Sequence, residues 1–446
     1  MTKPLEATVH NAVAAPPPDE RRVRRHLGLF GWSPEFTPRQ WRIFFIVCTA
    51  GFFDQYDRVL LSLALKQIQL GLKIAEARLG LILSIIWLGY IFSLLLTPLA
   101  DVFGRRRLLL YTIIGYTVFT GLSAIAPGER AFAAAQILAR AFAGAEATVA
   151  LVILAEEVDA AVRGWSIGLL TAISSCGAGI AALAFGLINV VPFGWRGLYA
   201  LALIPLAVVI PLRRTLPESR RFEREKLEGL KPSNALQPVM ALFREYPGRL
   251  AMTVTCAFLG NMGGNAAGIF FPKYVQEAHG WSPGNVSTLF FVGGALGILG
   301  SLVAGKASDR FGRRRMGALF LFVSPLLTIW IYSATNWTVI PAWIIELFCD
   351  FAANAILMAY AAELFPTSYR STAGSALAVA GTTGSALGLY FEGVLFGFTG
   401  SHWSAIRYLT VPWMIAPIFV VLFYPETAGL ELETISPEER RMRPVA

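Results

Sequence analysis

Twelve stretches of about 20 residues, nearly all apolar, run through this 446-residue chain. They fall at about 43–65, 79–99, 107–126, 131–155, 164–191, 195–212, 250–275, 284–305, 316–335, 337–362, 371–398 and 404–424. A bilayer core about 30 Å thick needs roughly that length of apolar helix to cross it. Barrel strands would be half as long and would alternate, so only helices satisfy the backbone of such runs in lipid. With 55% hydrophobic and 15% charged residues, the chain lies outside the balance of soluble domains. The expectation is an all-α membrane protein with twelve transmembrane helices.

The basic residues orient it. With the N-terminus inside, 29 of the 38 Lys and Arg fall in cytoplasmic segments. Seven fall outside, namely Lys66, Lys73, Arg78, Arg130, Arg196, Lys273 and Arg407, and Arg58 and Arg140 lie within spans. The positive-inside rule then predicts a multi-pass protein of the plasma membrane, the inner membrane in a bacterium, with both termini cytoplasmic. The net charge of +9 follows from loop arginines facing anionic headgroups, so no nucleic-acid partner is expected. Residues 19–32, "DERRVRRHLGLFGW", read equally as a segment on the inner leaflet or as a free arm. Cys48, Cys176, Cys256 and Cys349 lie in spans at no metal-ligand spacing and read as small hydrophobes. His10, His26, His279 and His402 all fall outside the spans.

The chain also repeats itself. "ADVFGRRR" at 100–107 returns as "SDRFGRRR" at 308–315, and "LPES" at 216–219 as "YPET" at 424–427. Glu156 with Arg163 returns as Glu363 with Arg370. Landmarks at one offset imply two homologous six-helix halves. The expected domains are a basic segment 1–40, a first bundle 41–212, a cytoplasmic linker 213–249 with short helices, a second bundle 250–425 and a tail 426–446.

Asp309-Arg310-Phe311-Gly312-Arg313-Arg314, with Gly305 four residues earlier, resembles the loop signature of the major facilitator superfamily. The first copy keeps Asp101, Gly104, Arg105 and Arg106 but has Thr97 and Val102 where that family usually has Gly and a basic residue. Arg140 followed by Gly144, the PES and PET ends and the repeat extend the resemblance over about residues 40–433. "ELFPTSYRSTAG" and "PETAGLELE" are similar to the branch of sugar porters, aromatic-acid and metabolite–proton symporters and organic-ion carriers. Asp54-Gln55-Tyr56-Asp57 resembles the D-x-Y-D of the aromatic-acid and organic-ion members. Leu259, Gly260, Ser174, Ser175 and Met358 stand where hexose porters carry glutamines and a tryptophan, which speaks against a hexose. The resemblance implies two pseudo-symmetric six-helix bundles, the major facilitator fold, and alternating access.

Charges within the spans name the candidate site, because a charge at bilayer depth must face a cavity or a partner. The resemblance implies that Asp57 carries the exchangeable proton and that Arg140 pairs with it. The alternative is a fixed brace between spans 1 and 4. Arg58 either pairs with Asp54, four residues away, or faces the cavity and holds an anion. Glu346 and Asp350 share one face of span 10, for a cation, a hydroxyl-rich solute or a second proton, or as a solvated pair at the cavity mouth. Asn261, Asn265 and Tyr56 complete the substrate-binding candidates, although Asn in membranes also joins neighbouring helices. Glu146 and Glu392 carry no assignment. Asp101, Arg105, Arg106, Glu156 and Arg163, with Asp309, Arg313, Arg314, Glu363 and Arg370, are expected to gate the cytoplasmic end through ion pairs that part when that end opens.

With no phosphate loop, no nucleophile–base constellation and no metal spacing, the sequence does not read as an enzyme. It reads as a secondary active transporter, monomeric, without cofactor, driven by the proton gradient and taking up a small polar organic solute, an organic acid or related metabolite, by symport. The alternatives are proton antiport of cationic or amphipathic compounds and a non-transporting sensor.

Overall fold

The computed structural model describes residue 26, residues 33–204, 236–366 and 369–430, and residue 435. Much of the expected linker and both tails lie outside these residues.

The first half contains α1 (Pro38–Leu63), α2 (Glu76–Leu96), α3 (Arg105–Ala124), α4 (Glu129–Glu157), α5 (Ala160–Gly186) and the start of α6 (Trp195–Ala200). The second contains α7 (Pro247–Ala278), α8 (Pro283–Phe311), α9 (Arg313–Ile331), α10 (Val339–Glu363), α11 (Arg370–Thr399) and α12 (His402–Phe423), which breaks at Met414. Eight of these, α2 to α5, α8 to α10 and α12, are long and apolar enough to span a membrane on length and hydropathy alone. α1, α7 and α11 are 26, 32 and 30 residues long but are diluted by buried charge or by Gly, Ser and Thr. Large apolar side chains such as Leu95, Leu302 and Phe398 are exposed on the outside, where lipid would cover them.

The repeat is structural as well as textual. α5 packs on α1, and α11 packs on α7. At the crossings, a β-carbon on Gly177 would lie 2.0 Å from the Phe52 carbonyl oxygen, and one on Gly384 would lie 2.3 Å from that of Phe258. Only glycine lets the backbones approach so closely. The two FGRRR turns match too. Gly104 has φ 95° and Gly312 φ 98°, a region that side chains with a β-carbon avoid, so both glycines turn the chain sharply into the next helix.

The halves meet at the end remote from the chain's two tails. There Ser62 Oγ donates to the Gly268 and Ile269 carbonyls at 3.1 Å, and Gln67 Nε2 donates to Gln276 Oε1 at 2.7 Å. At the same end Gly80 lies against the Leu389 carbonyl and the Gly393 amide, and Gly186 against Ser287. These contacts seal one mouth of the path between the bundles.

Candidate functional site

α1 begins with a capping box, Thr37 with Gln40 around Pro38, which fixes its first turn. Its later turns then present Asp54, Asp57 and Arg58 about 100° apart per residue. Asp57 faces α4, where Nη1 of Arg140 lies 3.0 Å from its Oδ2, and both side chains are fully buried. Neither Asp57 oxygen has an aligned hydrogen bond among the described residues, so charge rather than bond geometry holds the pair. Arg140 is steadied from behind by Gln136 Oε1 at 3.2 Å and by the rings of Trp87 and Tyr90 at 6.0 and 5.8 Å.

One turn away, Arg58 Nη2 lies 3.0 Å from Asp54 Oδ2, with its guanidinium 5.3 Å over Tyr90. The Arg58 side chain is 41% exposed at this depth, so it meets open space while still paired. Two carboxylates and two guanidiniums make the cluster neutral overall. Tyr56 is a correction to the sequence reading. Its hydroxyl donates to the Leu198 carbonyl at 3.0 Å and its ring is buried toward the start of α6, because a one-residue step from Asp57 turns the side chain off the path.

In the second half a cavity of about 190 Å³ is lined by Asn261, Asn265, Trp343, Glu346, Asp350 and Trp413, among others. Ser324 donates to Glu346 Oε1 at 3.1 Å, and Asn261 Nδ2 donates to the Ala257 carbonyl at 2.9 Å. The Nδ2 of Asn265 and the indole N–H groups of Trp343 and Trp413 have no partner among the described residues. Donors left open beside two carboxylates make a pocket that can both give and accept hydrogen bonds. The indoles were not foreseen, and their signal, tryptophan with a polar atom inside a span, was available.

At the tail end, Arg105 Nη1 pairs with Glu156 Oε2 at 3.0 Å. The equivalent Arg313 pairs with Glu363, and with Asp309 at 3.2 Å. Glu426, from the YPET turn, accepts the backbone N–H groups of Arg313 at 2.7 Å and Arg314 at 3.3 Å, capping α9. Partial burial pushes that carboxyl up, but the N–H bonds from Ala428, Arg313, Arg314 and Thr427 outweigh it and hold it below the usual range. Arg370 Nε donates to the Phe365 carbonyl, while Arg163 and Arg314 are exposed and Arg106 is half-buried. The Asp101 side chain lies outside the described residues. The Arg–Glu pairs join helices of the same half and are intact with the opposite mouth shut. Each acid and its arginine sit on adjacent helices of one bundle.

Two residues counted as loop residues are not. Lys273 is fully buried inside α7, and His402 opens α12 at 4% exposure. Glu392 and Glu146, given no role, are also buried.

The family model of the Major Facilitator Superfamily matches residues 47–316 and again 253–444. The chain belongs to the Major Facilitator Superfamily. This facilitator is 26% identical to a probable 4-methylmuconolactone transporter of Cupriavidus pinatubonensis, over 91% of this chain and 95% of that protein. It is 24% identical to a benzoate transport protein of Acinetobacter baylyi, over 90% and 93%. Its fold matches the inward open conformation of the xylose transporter XylE from E. coli with a TM-score of 0.68 at 17% identity, covering 89% of this chain and 99% of that one. It is an integral, multi-pass membrane transporter, not an enzyme.

Proposed function

We propose that this facilitator is a proton-coupled symporter of a small organic acid, with Asp57 as the proton carrier and Arg140 as its partner. The observation that carries the reading is the fully buried Asp57–Arg140 pair with the partly exposed Arg58 as the next residue along the helix. A carboxylate desolvated against one guanidinium changes its proton affinity whenever that partner moves or water enters. Arg58 supplies the planar, two-pronged donor that a carboxylate solute fits. The aromatic-acid and lactone transporters among its relatives support the same class of solute. The remaining gate residues, Arg105, Glu156, Arg313 and Glu363, brace each bundle as a rigid unit. The basic loops support a plasma-membrane location with both termini in the cytoplasm, and the protein works as a monomer.

The test is uptake of a labelled aromatic carboxylate into proteoliposomes. Gradient-driven accumulation should vanish in Asp57→Asn while exchange of solute across the membrane survives. Loss of both, with binding intact, would make the pair a brace and sink the reading. The Glu346 and Asp350 pocket favours a second reading, antiport of an organic cation, which solute-dependent proton release from acid-loaded vesicles would reveal.

A further inference from the structure

The sealed mouth contains a group of charges that the transport reading leaves unused. His402 sits between two carboxylates, with Nδ1 2.5 Å from Glu392 Oε1 and Nε2 2.9 Å from Glu76 Oε2. Glu76 belongs to the first half, and His402 and Glu392 to the second. Lys273 of α7 donates to Glu76 Oε1 at 3.1 Å and to Glu277 at 2.6 Å. Phe270 and Phe396 flank the imidazole at 4.9 and 4.2 Å and keep water from it. Glu392 is fully buried, whereas Glu76 is 45% and Glu277 31% exposed. Arg78, two residues from Glu76, is engaged by Glu129.

A neutral imidazole has one N–H, and two carboxylates offer only acceptors. Both contacts can therefore be hydrogen bonds only if an extra proton sits in the Glu76–His402–Glu392 triad. With that proton the five charged groups sum to −1, and without it to −2. When this mouth opens, Glu76 departs with the first half, and His402 keeps Glu392 alone and gains water.

We propose that Glu76, His402 and Glu392 form a second proton site that is filled when this mouth is shut and emptied when it opens. The site is distinct from Asp57 and does not depend on what the solute is. The closed state then binds up to one proton more than the open state, so acid favours closure by up to about tenfold per pH unit while the site titrates.

Spin labels on Lys73→Cys and Ala278→Cys, both exposed on opposite sides of the seam, test this in lipid nanodiscs with Cys176→Ser as background. The short-distance population should rise as pH falls from 9 to 5. His402→Gln should flatten that response, and Glu392→Gln, which preserves shape, should move its midpoint to lower pH. In an Asp57→Asn background a pH response should persist and should still be flattened by His402→Gln, which separates this site from the coupling pair. A pH response unchanged in folded His402→Gln and Glu392→Gln, or one abolished by Asp57→Asn, overturns the proposal, as does a seam that ignores pH in the parent protein.

Discussion

The two halves share a framework and differ in how they treat charge. In the first, each buried carboxylate of α1 faces a guanidinium, Asp57 with Arg140 and Asp54 with Arg58. In the second, Glu346 and Asp350 line a cavity beside amide and indole donors instead. Counting from the Phe52 and Phe258 carbonyls that meet the paired glycines, Asp57 corresponds to Gly263. At the offset of the Glu156 and Glu363 landmarks, Arg140 corresponds to Leu347. Duplication thus supplied two scaffolds, and only one acquired the ion pair. The lesson is that helix contacts follow the repeat while chemistry is assigned to one copy.

The largest expected effect breaks the charged half. Arg140→Leu copies the residue of the other half and strands Asp57 without a cation. It should abolish uptake and cost about 3–5 kcal/mol, read as a large drop in Tm, because an uncompensated buried charge remains. Leu347→Met in the other half should leave uptake within a few-fold and cost less than about 1.5 kcal/mol. Equal damage from both would dissolve the comparison.

The framework should respond symmetrically. Gly177→Ala and Gly384→Ala each push a methyl against a backbone carbonyl, and each should cost about 1–3 kcal/mol by thermal unfolding. A strong asymmetry would mean that only one crossing bears on packing. A subtler contrast lies in Asp350→Asn, which should preserve stability within about 1 kcal/mol yet change solute affinity several-fold in a binding titration. No change in affinity would remove the second pocket from the solute's path.

The smallest effect concerns the turn between α12 and the tail. Glu426→Ala removes the cap on α9 and should cost about 1 kcal/mol. Because its carboxyl is held below the usual range, that contribution is present above ordinary carboxylate pH and is lost as the medium is acidified through the lowered value. Parent and variant should therefore converge in Tm as the pH falls below the ordinary carboxylate range.

Much of this was legible in the residues. Apolar length fixed the helix class, the FGRRR copies exposed the duplication, and charges at bilayer depth marked Asp57 and Arg140, which the family resemblance paired before any distance was known. The sealed mouth was not legible. Glu76 and His402 are separated by 326 positions, and no local period links them. His402 was read as a loop residue because the span drawn from hydropathy starts two residues after the helix does, and Lys273, two residues inside its span's drawn edge, was counted with the outer face although the helix runs on to Ala278. Glu392 did lie within a span, and the rule that ionisable groups there need a reason would have singled it out. Tyr56 failed for the opposite cause, since a motif names neighbours in sequence while a helix sends them to different sides.

The placement of the seam has a mechanical consequence. α7, with 32 residues, is a rod of about 48 Å. Holding two such rods together at one tip turns each bundle into a lever, so a tilt of roughly 15° displaces the free tips by about 12 Å over that length. Sub-ångström adjustments among a few side chains at the pinned tip are thereby magnified into a passage wide enough for a solute at the other.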